Sequence, residues 1–230
     1  MIPLYARNSI LVVALCALFA CTREATVSGM PESAKPPQVT ATKELPPQKT
    51  YDGPFGLAAG MSPATLEKVG FEAVPGHPSI FKGKPPKPVD GVDEYVVLAT
   101  PVAGLCRIQA KANVPVANGT GDQVRAEVDR LAALLALRYG KHSIKGDLND
   151  KDVYRRNPQF WMMGIQDQSI LYGYTWSGEK TEKPLPNEIA FIEVTAGADS
   201  LIAGWGSMIY TFKNFDACRG ENQARAAANL

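Results

Sequence analysis

The chain has 230 residues, 45% of them hydrophobic and 20% charged, and its 24 Lys+Arg against 23 Asp+Glu give a formal net charge of +1. That balance excludes a wholly disordered chain and a multi-span membrane protein. It supplies no charge surplus for a nucleic-acid partner, and two histidines and four cysteines leave little material for metal or nucleophile chemistry.

Arg7 is the only charge before Arg23, and Ile10 to Phe19 is an unbroken apolar run. The run is shorter than the roughly 20 residues a bilayer-spanning helix needs. A cationic start, a short apolar centre and a small residue at its end are the parts of a secretory signal. The segment Leu18-Phe19-Ala20-Cys21 resembles the bacterial lipobox, with an aliphatic residue at −3, a small one at −1, then cysteine. The resemblance implies a signal peptide over residues 1–20, cleavage before Cys21, diacylation of its thiol and acylation of the new amine by palmitate-class chains. Two or more acyl chains hold a protein stably at a membrane. Thr22 stands where an aspartate marks inner-membrane retention in Gram-negative lipoproteins, so the resemblance implies an outer-membrane address with the body in the periplasm.

Residues 21–52 read as the lipidated N-terminus and a tether. Pro31, Pro36, Pro37, Pro46 and Pro47 stand among Thr, Ser, Lys and Glu with few large apolar side chains, so the stretch cannot offset its ordering entropy. About 30 such residues at roughly 3.1 Å each span on the order of 90 Å fully extended. Residues 53–230 read as a single domain. Ser62-Pro63 predicts an N-cap and first helical residue, with Gly70 as the stop. Five prolines over 72–91 predict a loop. Residues 95–100 and 105–112 predict a hairpin turning at Ala103-Gly104. Asp122 predicts the cap of the strongest helix, with Val124, Val128, Leu131, Leu135 and Tyr139 on one face and Gly140 closing it. A short helix from Asn157-Pro158 through Met163 and strands over 170–176, 188–195 and 201–212 follow. The last pair is expected to turn around Gly197-Ala198-Asp199, with Gly204 and Gly206 permitting a bulge or a close helix approach. The expected fold is α+β: an antiparallel sheet of about five strands with two or three helices on one face.

With Cys16 lost in the leader and Cys21 lipidated, Cys106 and Cys218 remain as an even pair in an oxidising compartment, and a disulfide between them is expected. Other candidate sites fare poorly. Ser207 in Gly204-Trp-Gly206-Ser207 lacks the Gly-x-Ser-x-Gly elbow. His77 and His142 have no neighbouring ligands at zinc spacing. Asp147-Leu-Asn149-Asp150-Lys-Asp152 matches a calcium loop at two places and then fails, reading as a solvated loop. Gly119-Thr-Gly121 lacks the third glycine of a dinucleotide fingerprint, and Asn118-Gly-Thr120 is a formal sequon that reads as a turn. Lys82-Gly-Lys84-Pro-Pro-Lys87-Pro88 reads as an exposed basic loop. No catalytic residue, metal or cofactor is expected.

Gly60-Met-Ser-Pro-Ala-Thr-Leu66 with Gly70 resembles the opening of small envelope lipoproteins of the SmpA/BamE-like group, and of repeats in β-lactamase-inhibitor-like domains. The resemblance implies a protein-binding helix–sheet unit and carries over no functional residue. The sequence therefore points to a non-catalytic envelope lipoprotein, held to the membrane through Cys21, with an unidentified envelope protein as partner. Two alternatives stand beside it: a structural anchor touching an envelope polymer, and a periplasmic enzyme or small-ligand binder. A deep pocket lined by Asp147, Asp152 or Glu193 would favour the latter.

Overall fold

The computed structural model describes residues 52–149, 152–178 and 184–228. After a 3-10 turn over Pro54–Gly56 come α1 (Pro63–Lys68), β1 (Phe71–Val74), β2 (His77–Gly83), β3 (Glu94–Thr100), β4 (Gly104–Val114) and α2 (Asp122–Tyr139). Then follow β5 (Ile144–Asn149), α3 (Asp152–Arg156), a 3-10 turn at Pro158–Phe160, α4 (Trp161–Gln166), β6 (Ile170–Ser177), β7 (Ile189–Ser200), β8 (Ala203–Phe212) and α5 (Phe215–Ala227). The strands form one open sheet in the order β1-β2-β3-β4-β8-β7-β6-β5, and every neighbouring pair is antiparallel. The fold is α+β, with α2, α4 and α5 packed against the sheet.

The sheet has eight strands, not about five. β1 and β2 occupy the proline-rich stretch expected to be a loop. Pro75 falls in the turn between them, and Pro78 lies at the start of β2 outside the paired registers, so neither removes a ladder hydrogen bond. β5 is an edge strand whose sequence, Ile144-Lys-Gly-Asp-Leu-Asn149, lacks the β-branched and aromatic enrichment of a strand. The expected turn at 197–199 is instead strand: β7 runs to Ser200, which pairs with Ala203 across a two-residue reversal at Leu201-Ile202.

Ser62 caps α1 as expected, its hydroxyl accepting from the Thr65 amide at 3.3 Å behind Pro63. At α2 the cap is Gly121, at φ 70°, rather than Asp122. Asp122 is the first helical residue and accepts from Asn118 Nδ2 and Thr120 Oγ1 at 2.8 Å each. Those two bonds hold its carboxyl below the ordinary range. The predicted stripe of α2 is buried in full, joined by Ala132. It lies over Gly204 and Gly206: a Cβ at Gly206 would meet Leu131 at 3.2 Å, and one at Gly204 would meet Val124 and Met162 at 3.0 Å. Side chains directly opposite across strands share a face, and the α2 side collects Val97, Ile108, Tyr210, Ile192 and Trp176, register neighbours across β3, β4, β8, β7 and β6. All five are buried.

The helices do not share one face. Leu98 and Thr100 alternate with Val97 and Ala99 along β3 and so point away from α2. It is Thr100 that bonds α5, through Glu221. Leu98 lines a hollow with Asn222, Arg225 and Ala226 of α5, and Arg107, opposite Leu98, lies over the Phe215 ring. α5 therefore crosses the end of the β3–β4 hairpin on the opposite side. The Cys106–Cys218 disulfide forms, with Cα atoms 6.5 Å apart, and ties α5 to β4 across a sequence separation of 112.

Candidate binding face

The side of the sheet away from α2 is the one large surface that, among the described residues, no helix covers except where α5 crosses one end. The strand registers arrange it in rows. The row nearest α5 runs Ile80, Leu98, Arg107, Thr211, Phe191, Ser177. The next runs Lys82, Val96, Gln109, Ile209, Glu193, Thr175, Ile144. A third runs Glu94, Lys111, Ser207, Thr195, Gly173, Gly146. Each polar member follows from the period of two in strands whose other face is apolar.

Charge on this face is partly paired. Lys82 meets Glu94 at 3.1 Å, and Lys111 meets Asp199 at 3.6 Å while its ammonium lies 5.1 Å from the centroid of the Trp205 ring. Three buried polar atoms on the face make no hydrogen bond among the described residues: Arg107 Nε, Thr175 Oγ1 and Ser207 Oγ. An unsatisfied buried polar group costs about 1–3 kcal/mol; these three lie beneath the surface, Arg107 against the Phe215 ring of α5 and Ser207 fully buried. Between α5 and β2–β3 a hollow of about 350 Å³ is lined by His77, Ser79, Ile80, Leu98, Asn222 and Arg225. It adjoins a second of about 200 Å³ along Ile80, Val96, Leu98, Arg107 and Gln109. Ser79 Oγ, at 2.6 Å from Asn222 Oδ1 and 2.9 Å from Arg225 Nη1, closes one wall.

The residues weighed from sequence scatter. Ser207 is fully buried at the middle of the face. His77 lies in β2, three strands away and seven residues along the strand from the Ser207 row, on the order of 25 Å at normal strand geometry. His142 stacks edge-on with Tyr174 at 4.8 Å on the α2 side, so neither imidazole is brought to Ser207. Glu193 lies opposite Ile209 and Thr175 on the uncovered face. Asn118 and Gly121 serve the start of α2: Asn118 Oδ1 accepts from the Asp122 amide at 3.0 Å, and a Cβ on Gly121 would strike the Trp161 ring. The basic stretch is half strand, and its proline part packs on the first turn, with the Lys87 amide donating to the Phe55 carbonyl at 3.0 Å. Cys21, the leader and the tether lie outside the described residues, as do Asp150, Lys151 and the side chains of Asp147, Asn149 and Asp152. Among the described residues no three His, Cys, Asp or Glu side chains converge to hold a metal ion, and no helix is long and apolar enough to cross a membrane.

Polarity on alternate positions of β4 is legible in the sequence at Arg107, Gln109 and Lys111. What the sequence hides is the alignment of that stripe with Thr211, Glu193 and Thr175 across four strands, because register is set by long-range pairing. No family model, no curated protein and no solved structure matches this chain.

Proposed function

We propose that the chain is a non-catalytic bacterial envelope lipoprotein, anchored through Cys21 to the outer membrane with its body in the periplasm. The body binds a protein partner on the uncovered face of its sheet. The observation that carries this reading is that face itself, broad and mixed in polarity, with Lys82, Gln109, Lys111, Glu193 and Thr195 along its rows. Protein interfaces combine such polar rows with aliphatic and aromatic anchors, here Val96, Ile209, Phe191 and Trp205. The lipobox and the Gly60–Leu66 resemblance give the reading its compartment and its class.

A photo-crosslinking residue at Gln109 or Thr195 in intact cells is expected to give a discrete protein adduct, and one at the exposed Leu137 on α2 none. Equal labelling from both sides, or no adduct together with turnover of a small substrate by the purified protein, overturns the reading. Cys21→Ser is expected to move the protein from the membrane to the soluble fraction; persistence at the membrane refutes the anchor. The hollow beneath α5 supports a second reading, a small-ligand-binding lipoprotein, which predicts that the purified protein binds a small molecule, that Leu98→Trp abolishes that binding, and that Gln109 gives no protein adduct.

A further inference from the structure

Exposed apolar side chains are not spread evenly over this molecule. Of the eleven large hydrophobics exposed among the described residues, six gather at one end of the sheet: Val116 (77%), Phe160 (42%), Met163 (38%), Leu171 (52%), Leu201 (44%) and Ile202 (68%). They come from separate segments that the topology brings to the same end. Val116 follows the end of β4, Leu201 and Ile202 form the β7–β8 reversal, and Leu171 lies at the start of β6. The Ala117 amide donates to the Ile202 carbonyl at 2.8 Å, and the Met162 amide to the Gly119 carbonyl at 3.0 Å, which joins these segments. Gln166 Nε2 reaches the Asp199 carbonyl at 3.4 Å. A cluster of this kind on a soluble body marks a contact site.

The rim has a consistent chemistry. Trp205 carries the Lys111 ammonium 5.1 Å from its ring centroid, and behind it the buried Trp161 holds the Arg125 guanidinium at 4.3 Å. The acids beside these cations are engaged, Asp199 with Lys111 at 3.6 Å and Asp122 with Arg125 at 3.7 Å. Tryptophan and basic side chains behind protruding aliphatic ones are the arrangement favoured at the headgroup level of a bilayer. The two most exposed members sit on protrusions, Ile202 at a two-residue hairpin and Val116 beside it, which suits insertion into a lipid surface better than capture of a protein side chain.

We infer that this end of the sheet is a membrane-contacting tip, which places Ile202, Leu201 and Val116 in the headgroup–acyl boundary of the bilayer that holds the anchor. The inference rests on the lipoprotein reading for the presence of that bilayer. The described chain begins at Asp52, whose carbonyl accepts from Asn187 just before β7, at the far end of the strands from Ile202. The twelve residues of β7 rise about 40 Å at normal strand geometry. The proline-rich stretch before Asp52, on the order of 90 Å fully extended, is long enough for both lipid and tip to meet one membrane.

The test uses the full-length lipidated protein in vesicles containing lipids with a quencher on the acyl chain. An environment-sensitive fluorophore is placed at Ile202→Cys and, in a separate sample, at Val102→Cys, the 87%-exposed turn at the opposite end. A blue shift and loss of emission at position 202, with neither at 102, is the expected result. Leu201→Asp added to the labelled protein is expected to abolish that quenching without changing its thermal midpoint. Vesicle-bound protein with no quenching at 202, or with equal quenching at both positions, overturns the tip while leaving the anchor standing. Protein that does not float with vesicles overturns both.

Discussion

Two long helices follow the two four-stranded halves of the sheet, and they are attached by different chemistry. α2, after β4, has 18 residues and buries Val124, Val128, Leu131, Ala132, Leu135 and Tyr139. α5, after β8, has 13 residues, and Cys218 is its one buried residue. What holds α5 is the disulfide to Cys106, the Glu221 carboxylate and a set of amides. Glu221 accepts from the Thr100 hydroxyl at 2.9 Å and from the Ala103 and Val102 amides at 2.7 and 3.2 Å. Asn214 Nδ2 donates to the Ala103 and Leu105 carbonyls at 2.8 and 3.0 Å. One helix is thus fixed by area removed from water, the other by a covalent bond and a polar latch, and the two should fail under different conditions.

The largest expected effect comes from removing the covalent term. Chain-entropy estimates give about 4.7 kcal/mol for a loop near 100 residues, so Cys106→Ala with Cys218→Ala is expected to lose most of that in urea unfolding at neutral pH. A loss under ~1 kcal/mol would mean that the latch holds α5 unaided. Next is Leu131→Ala in α2: Leu131 is fully buried over Gly206, and such truncations cost about 2–5 kcal/mol. Hydrogen exchange in α5 should not accelerate beyond the global change, which separates the two attachments.

Acid should loosen α5 first. Contact with the hairpin partly desolvates Glu221 and pushes its pKa up, but the bonds from Thr100, Val102 and Ala103 and the charge of Arg225 outweigh that and hold it below the ordinary value. A carboxyl whose folded pKa lies below its unfolded one stabilises fully above the unfolded value and loses that contribution as pH falls through the folded one. Amide exchange in α5, corrected for the intrinsic pH dependence, is therefore expected to rise below about pH 4.5, the ordinary glutamate value, and Glu221→Gln should flatten that rise. α2 loses its Asp122 bonds in the same range but keeps its apolar stripe. The smallest effect is expected at Leu137, 87% exposed on the outer side of α2: Leu137→Ser should change stability by no more than about 0.5 kcal/mol.

The same contrast explains what could be read from the sequence. α2 was legible because burial imposes a 3.6-residue period, and Ser62-Pro63 and Gly204/Gly206 were legible because capping and close approach restrict residue type. The Cys106–Cys218 bridge was legible by elimination among four cysteines. α5 was not: a helix held by one sulfur and a carboxylate needs no stripe, and Phe215–Ala227 shows none. β1 and β2 were masked by prolines that fall at a turn and a strand start. Of the candidate face, the alternation at Arg107, Gln109 and Lys111 was visible, but the unpartnered Ser207 and Thr175 depend on register between strands far apart in sequence. The clustering of Val116 with Ile202 depends on it too.

The position of Cys218 also sets an order of events. It lies beyond β8, so the ring it closes with Cys106 encloses α2 and all of β5–β8. In a chain emerging N-terminus first, that ring cannot shut until every strand has appeared. The thiol of Cys106 must wait through the emergence of 112 further positions, and no other cysteine arises in that interval to divert it. The bridge therefore closes only once the whole of β5–β8 is available to be enclosed.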